Sequence, residues 1–309
     1  MRQALVASLA LLTGCHGLPH ALEPSPPPRA VTPTAPASWD EVLAEPSEAT
    51  VRVEVAALWM AKRQGLINFK HPTAKAAKLP RGPMMISLHV GVIRHPERGD
   101  WLIDTGIDDT LARGESEAIR GVVDGLLDTL IPIEDTAALQ RRLELDLAGV
   151  LLTHTHFDHV LGLPDIAPDV PVYVGEREPT SRALINLVLR RGHERLYAGR
   201  PALEGFRDVD GVPLAPFDRA IDVLGDRSIW ALPMPGHTPG AMAYLVNGKN
   251  GPVLFLGDTC HTLWGWQHGV EPGWYTEDQA GNAEALTQLR TFVAQYPETR
   301  VVTGHELEP

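Results

Sequence analysis

The segment Thr153-His154-Thr155-His156-Phe157-Asp158-His159 carries four side chains able to hold a transition metal within six consecutive residues. It follows directly on Gly149-Val150-Leu151-Leu152, an apolar run that reads as a buried strand. Side chains two residues apart on an extended chain point the same way. His154 and His156 can therefore grip one ion together, and after a turn Asp158 and His159 can face a second. Imidazole nitrogen and carboxylate oxygen suit zinc at about 2.0–2.2 Å. A lone histidine is more often structural than a ligand, but this density of ligand groups reverses that expectation.

Three further pieces stand later in the chain. Pro235-Gly236-His237-Thr238-Pro239-Gly240 holds one histidine in a punctuated turn after a strand. Leu256-Gly257-Asp258-Thr259 puts an aspartate at a strand end, and Gly304-His305-Glu306 puts a histidine at another. In this order the motifs resemble those of the metallo-β-lactamase superfamily, over residues 84–305. The resemblance implies an α/β (α+β) fold, a four-layer αββα sandwich of two mixed β-sheets flanked by helices. It also implies two zinc ions per chain, with other divalent metals as the alternative. By position, the first ion takes His154, His156 and His237, and the second takes Asp158, His159 and His305. Asp258 bridges the two. Asp104, in the turn Leu102-Ile103-Asp104-Thr105-Gly106, matches an early aspartate that supports the site by hydrogen bonding. The alternative for it is a turn residue or helix cap.

Two cations about 3.5–4 Å apart can hold a hydroxide between them, the pKa of its parent water lowered towards ~7. That chemistry attacks a carbonyl or phosphorus centre, and Asp158 can orient the nucleophile or relay a proton to the leaving group. Within the superfamily the chain is most similar to the lactonase-like group, which includes the N-acyl-homoserine lactone hydrolases. The β-lactamases lack a bridging aspartate where Asp258 stands, and redox di-iron relatives place a carboxylate where His156 stands. The implied activity is hydrolysis of an ester-like bond, a lactone first. Thioesters, phosphoesters or organophosphates, sulfate esters and β-lactams suit the same metal pair. A metal-binding sensor or binding lipoprotein is the non-catalytic alternative.

One departure from the lactonases matters. They carry a tyrosine three residues after the bridging aspartate, and here that position is His261. His261 can donate the same hydrogen bond to substrate, or it is a loop histidine. Trp264, Trp266, Trp274 and Tyr275 follow closely, and they form either a substrate-pocket wall or packing under the next helix. Cys260 is expected to be a small buried residue.

The elements that must position these residues are legible in the pattern. Val51, Val53 and Val55 alternate with charged residues as in a half-buried strand. Residues 84–93, 101–103, 149–153, 170–174, 229–232, 242–246, 253–256 and 301–302 read as further strands. Residues 136–145, 181–191 and 281–296 read as helices, the last stopped by Pro297. Strands and helices interleave, which suggests mixed sheets sandwiched by helices.

The chain has 309 residues, 44% hydrophobic and 21% charged, an ordinary globular composition. Its net charge of −12 disfavours a phosphate backbone as partner, so a small-molecule substrate is expected and nucleic acid is not. The sequence leaves the oligomeric state open. Arg2 precedes an apolar run over 4–12, too short to span a bilayer as a mature helix. Leu12-Thr13-Gly14-Cys15 resembles a bacterial lipobox, which implies cleavage before Cys15 and lipid attachment to that cysteine; a plain signal peptide or a misplaced start is the alternative. This places 1–14 as signal peptide, 15–45 as a Pro/Ala-rich tether including Pro26-Pro27-Pro28, and 46–309 as the domain, with folding starting near Trp39 or Pro46. With Cys15 acylated, Cys260 is alone and no internal disulfide forms. The expected location is the bacterial cell envelope, lipid-anchored and facing the periplasm or the exterior. Cys15→Ala is expected to change partition between membrane and soluble fractions, and a variant that fractionates like wild type overturns the lipobox reading.

Overall fold

The computed structural model describes residues 22–28, 35–115, 128–181 and 194–307. Its strands are β1 (Leu22–Ser25), β2 (Thr50–Lys62), β3 (Pro83–His95), β4 (Gly99–Ile103), β5 (Ile131–Pro132), β6 (Leu147–Leu151), β7 (Val172–Gly175), β8 (Leu203–Phe206), β9 (Val212–Leu214), β10 (Phe217–Asp222), β11 (Ile229–Pro233), β12 (Met242–Gly248), β13 (Gly251–Phe255) and β14 (Arg300–Val302). They form two sheets. The first runs β1-β8-β7-β6-β4-β3-β2-β5, and the second runs β14-β13-β12-β11-β10-β9.

The layering follows from the two-residue period of a strand. On β4, Trp101 and Ile103 point into the core between the sheets, while Leu102 points outward under the helices. On β12, Met242, Tyr244 and Val246 face the first sheet, and Ala243 and Leu245 face away. The same split runs along β11 and β13. Both faces of both sheets are therefore apolar, so each needs a cover. Leu66, Ala74, Leu139 and Val160, all helical or flanked by helix, cover the first sheet. The helix Gln279–Gln295 covers the second through Ala285, Leu286, Leu289 and Phe292. The result is the four-layer αββα sandwich expected from the sequence.

Strand direction decides where chemistry can collect. β4, β6, β7 and β8 run parallel in the first sheet. In the second, β13 pairs parallel with β14, and β11 shares that direction because both are antiparallel to β12. The carboxyl ends of β4, β6, β11, β13 and β14 thus lie at one edge of the sandwich. Among the described residues no helix is long and apolar enough to cross a membrane.

The sequence-read strands and the helix over 136–145 reappear with shifted ends, the helix as Thr136–Leu143. The last helix begins earlier than expected because Asp278 caps it, accepting from the backbone N–H groups of Ala280 and Gly281. The helix expected over 181–191 lies, beyond Ser181, outside the described residues. The short strands β1, β5, β8, β9 and β10 were not read from the sequence.

The domain also reaches further upstream than residue 46. Leu22–Ser25 pairs in parallel with Leu203–Phe206, and Trp39–Leu43 forms a helix capped by Ser38. An edge strand held by backbone bonds on one side needs no hydrophobic period and tolerates proline, so composition hid it. Trp39 is 1% exposed and meets Phe217, Trp230 and Phe292 edge-on, with its indole N–H donating to the carbonyl of Leu214. Trp39→Ala is expected to cost about 3–5 kcal/mol of unfolding free energy, the range for an aromatic deleted from a packed core. A denaturant midpoint equal to wild type would return residues 35–45 to the tether.

Candidate metal centre

The turn after β6 builds one side of the centre. The chain stays extended through His156, then enters the short helix Phe157–Val160, which carries Asp158 and His159 off the strand direction. The turn after β11 supplies His237, the one after β13 supplies Asp258, and the one after β14 supplies His305. Gly304 must be glycine, since a Cβ there would lie 2.3 Å from Asp258 Oδ1.

These side chains fall into two sets around one carboxylate. Nδ1 of His156 and Nε2 of His237 approach to 2.9 Å. Nε2 of His154 and of His237 lie 3.6 and 3.3 Å from Asp258 Oδ2. On the other side, Nε2 of His159 and of His305 lie 3.4 and 3.3 Å from Asp258 Oδ1, and His305 Nε2 is 3.5 Å from Asp158 Oδ2. The ligand atoms of His154, His156, His237 and Asp258, and those of Asp158, His159 and His305, each converge within 4.8 Å. Nε2 of His154, Nε2 of His159 and Oδ1 of Asp258 are buried without a hydrogen-bond partner. Buried polar atoms are almost always satisfied, so orphans facing one another fit cations held between them. The groups expected to share each ion are thus brought together, with one oxygen of Asp258 for each set.

The far side of each ring is also held. Asp104 Oδ2 accepts from His159 Nδ1 at 2.8 Å, while Oδ1 accepts from the Thr153 backbone N–H. This leaves Nε2 of His159 free for a metal. Asp104 adopts φ +58°, a left-handed conformation that aspartate tolerates better than most residues. His305 Nδ1 donates to the carbonyl of Ser87, and His237 Nδ1 lies 3.4 Å from Thr276 Oγ1.

One supporting residue was not singled out from the sequence. Glu178, fully buried, accepts through Oε1 from the backbone N–H and hydroxyl of Thr155, and through Oε2 from the Thr238 hydroxyl and the Gly240 backbone N–H. It ties the His154–His156 turn to the His237 turn. A Cβ on Gly240 would lie 2.7 Å from Glu178 Oε2, so the glycine permits the approach. Glu178 is remote in sequence from both turns, so local spacing carries no signal for it.

The remaining expected site residues divide. His261 is buried, with Nε2 2.9 Å from Asp258 Oδ2. Tyr275 stands edge-on to it at 6.3 Å, its ring over Gly65, and Trp274 beside it is 61% exposed. Trp264 and Trp266 do not join that wall. Trp264 packs against the core of the first sheet and stacks on His268, and Trp266 packs under Arg290 against the second core. Both stand on the helix Leu263–His268. Cys260 is a buried thiol, as expected, raised to about 12 by burial.

The fold and the paired ligand sets define a metal-dependent hydrolase. The sequence pattern of the metallo-beta-lactamase superfamily matches residues 88–305, and the chain belongs to that superfamily. It is 29% identical over 220 residues to the N-acyl homoserine lactonase AttM of Azorhizobium caulinodans, covering 70% of this chain and 80% of that protein. It is 27% identical over 223 residues to AttM of Agrobacterium fabrum, again covering 70% and 80%. Among solved structures, a mutant of B. thuringiensis AiiA with N-decanoyl-L-homoserine bound at the active site superposes with a TM-score of 0.59 at 17% identity, covering 85% of this chain and 95% of that one. AidC, a dizinc quorum-quenching lactonase, superposes with a TM-score of 0.56 at 14% identity, covering 84% and 88%. At these identities the structural likeness is one of fold.

Charge separates the two halves of the centre. Burial lowers the proton affinity of His154, His156 and His237. Burial presses the same way on His159 and His305. There Asp258, with Asp104 beside His159 and Asp158 beside His305, outweighs it and raises both above the usual imidazole range. Asp258 is buried too, yet His261, His305, His159 and His237 hold it well below the usual carboxylate range. A ligand nitrogen must be free of its proton to bind metal. Protons therefore compete with metal at His159 and His305 at higher pH than at His154 and His237. In the metal-free protein, as pH falls, the imidazole nitrogen shifts of His159 and His305 should change before those of His154 and His237. The reverse order of protonation contradicts this.

Proposed function

We propose that the protein is a dinuclear zinc hydrolase whose substrate is a lactone of the N-acyl-homoserine type. The observation that carries the two-metal part is the division of Asp258, whose Oδ2 faces His154 and His237 while Oδ1 faces His159 and His305. The lactone part is supported by the lactonases it resembles over most of its length. Zinc is supported by the donor set, neutral imidazoles with carboxylates.

His154, His156 and His237 would hold one ion, and Asp158, His159 and His305 the other, with Asp258 between. Such a pair supplies a nucleophile drawn from water near neutral pH and polarises the oxygen of the scissile carbonyl. The residues of the chain do the rest. Asp158 and Asp258 offset the charge of two dications. Asp158 is the less enclosed of the two, and its carboxylate can carry a proton towards the departing ring alcohol. Asp104 and the Ser87 carbonyl fix which nitrogen of His159 and His305 faces inward. Trp274 and Tyr275 offer exposed aromatic surface beside the centre for the apolar part of a substrate. Ring opening leaves a hydroxy acid, with water's oxygen on the carboxylate. We also propose that Cys15 carries lipid and holds this centre at the cell envelope.

The purified protein is expected to hold about two zinc ions per chain and to open N-acyl-homoserine lactones. The panel should include thioester, phosphotriester, sulfate ester and β-lactam substrates. Asp258→Ala should release at least one zinc and lower turnover by roughly 100-fold or more, since a charge shared by both ions is gone. Two tightly held zinc ions and full activity in that variant would remove the bridge. Turnover of another panel member with none of any lactone would move the substrate assignment while leaving the metal pair in place.

A further inference from the structure

We infer that His261 is an additional protein ligand of the metal pair, beyond the ligands expected from the superfamily. The inference rests on the two-metal reading above. Its ground is the direction in which each nitrogen of His261 points. Nδ1 lies 3.3 Å from the backbone carbonyl oxygen of Leu66. A carbonyl oxygen only accepts, so Nδ1 carries the hydrogen of that bond. The other nitrogen, Nε2, then faces the centre, 2.9 Å from Asp258 Oδ2.

His305 is built the same way. Its Nδ1 donates to the carbonyl of Ser87, and its Nε2 faces Asp158 and Asp258. The two histidines are joined through the backbone, the N–H of His305 donating to the carbonyl of His261 at 2.9 Å. A backbone carbonyl behind the ring that fixes which nitrogen faces the metal is the usual support of a ligating histidine. The ligand atoms of Asp258, His261 and His305 lie within 4.8 Å of one another, as do those of each expected set. The ring of His261 sits 5.3 Å from that of His237 and 5.3 Å from that of His305, so it stands between the two ligand sets.

The local chain explains why a histidine can reach. Gly257–Thr259 makes a tight turn after β13, and Cys260 returns to extended backbone. Asp258 and His261 then project towards the same point. His261 is 1% exposed, and its Nδ1 anchor comes from the helix Arg63–Leu66, an element remote in sequence. In this arrangement Nε2 acts as a donor of electrons to a metal and not as a hydrogen-bond donor to substrate. The role expected from the lactonase tyrosine is therefore replaced. One consequence is an imidazole-richer centre. The expected sets contain His154, His156 and His237 on one side and His159 and His305 on the other; His261 adds a further nitrogen to the shared edge.

The test loads nitrogen-15-labelled protein with cadmium-113 and reads nitrogen–cadmium coupling at each imidazole. The expected result is a coupling at His261 Nε2 as well as at the five other histidines, absent in His261→Gln. Zinc should also leave His261→Gln faster than wild type when a chelator is added. If couplings appear at the five expected histidines and His261 Nε2 instead carries a proton, His261 is an ion-pair partner of Asp258 and the inference fails by itself. If no histidine shows a coupling, the two-metal reading falls and this inference with it. The wild-type spectrum decides the matter even if His261→Gln does not fold.

Discussion

Five imidazole nitrogens lie within 3.6 Å of the buried carboxylate of Asp258. Neither a lone buried carboxylate nor a crowd of buried imidazoles is tolerable without compensation. Positive charge held between them would supply that compensation. Much of the rest follows from that need. The loops that carry the ligands have to be brought to one edge, held rigidly, and kept from collapsing onto one another.

The two sheets meet the first requirement through strand direction. Parallel pairing of β4 with β6, and of β13 with β14, puts the turns after those strands on one side. Tyr244 Oη donates to the carbonyl of Leu152, and the Met242 N–H donates to the carbonyl of Thr153, so the second sheet is tied to the first beside the ligands. The apolar layer between the sheets then acts as the rigid floor of the centre. A closely packed layer of this kind does not deform smoothly, so ligand positions inherit its precision.

Rigidity of the loops comes from buried hydrogen bonds. Glu178 satisfies four donors from two loops, and Asp104 satisfies His159 and Thr153 together. Both are acids whose oxygens can accept several bonds each. They cost desolvation and return geometry. Metal binding to such a preassembled set adds directly to folding free energy, because the unfolded chain offers no comparable site. That matters because the described residues hold a single cysteine, Cys260, and no disulfide.

The residues that converge on Asp258 were legible in the sequence. His154, His156, Asp158 and His159 sit close enough together that local spacing alone announces a metal, and the strand before them is marked by its apolar run. The two-residue alternation along the strands likewise contained the layered fold. What local sequence could not contain is contact between distant segments. Trp39 joins the core through Phe217, Trp230 and Phe292, and β1 joins β8 by backbone bonds that leave no trace in side-chain pattern. Glu178 looks like any acid in a loop until Thr155 and Thr238 close around it. The same holds for His261, whose spacing from Asp258 places it near that carboxylate. Which of its nitrogens faces Asp258 was decided by the carbonyl of Leu66, nearly two hundred residues away, because a ring nitrogen's role is set by the partner on its other side.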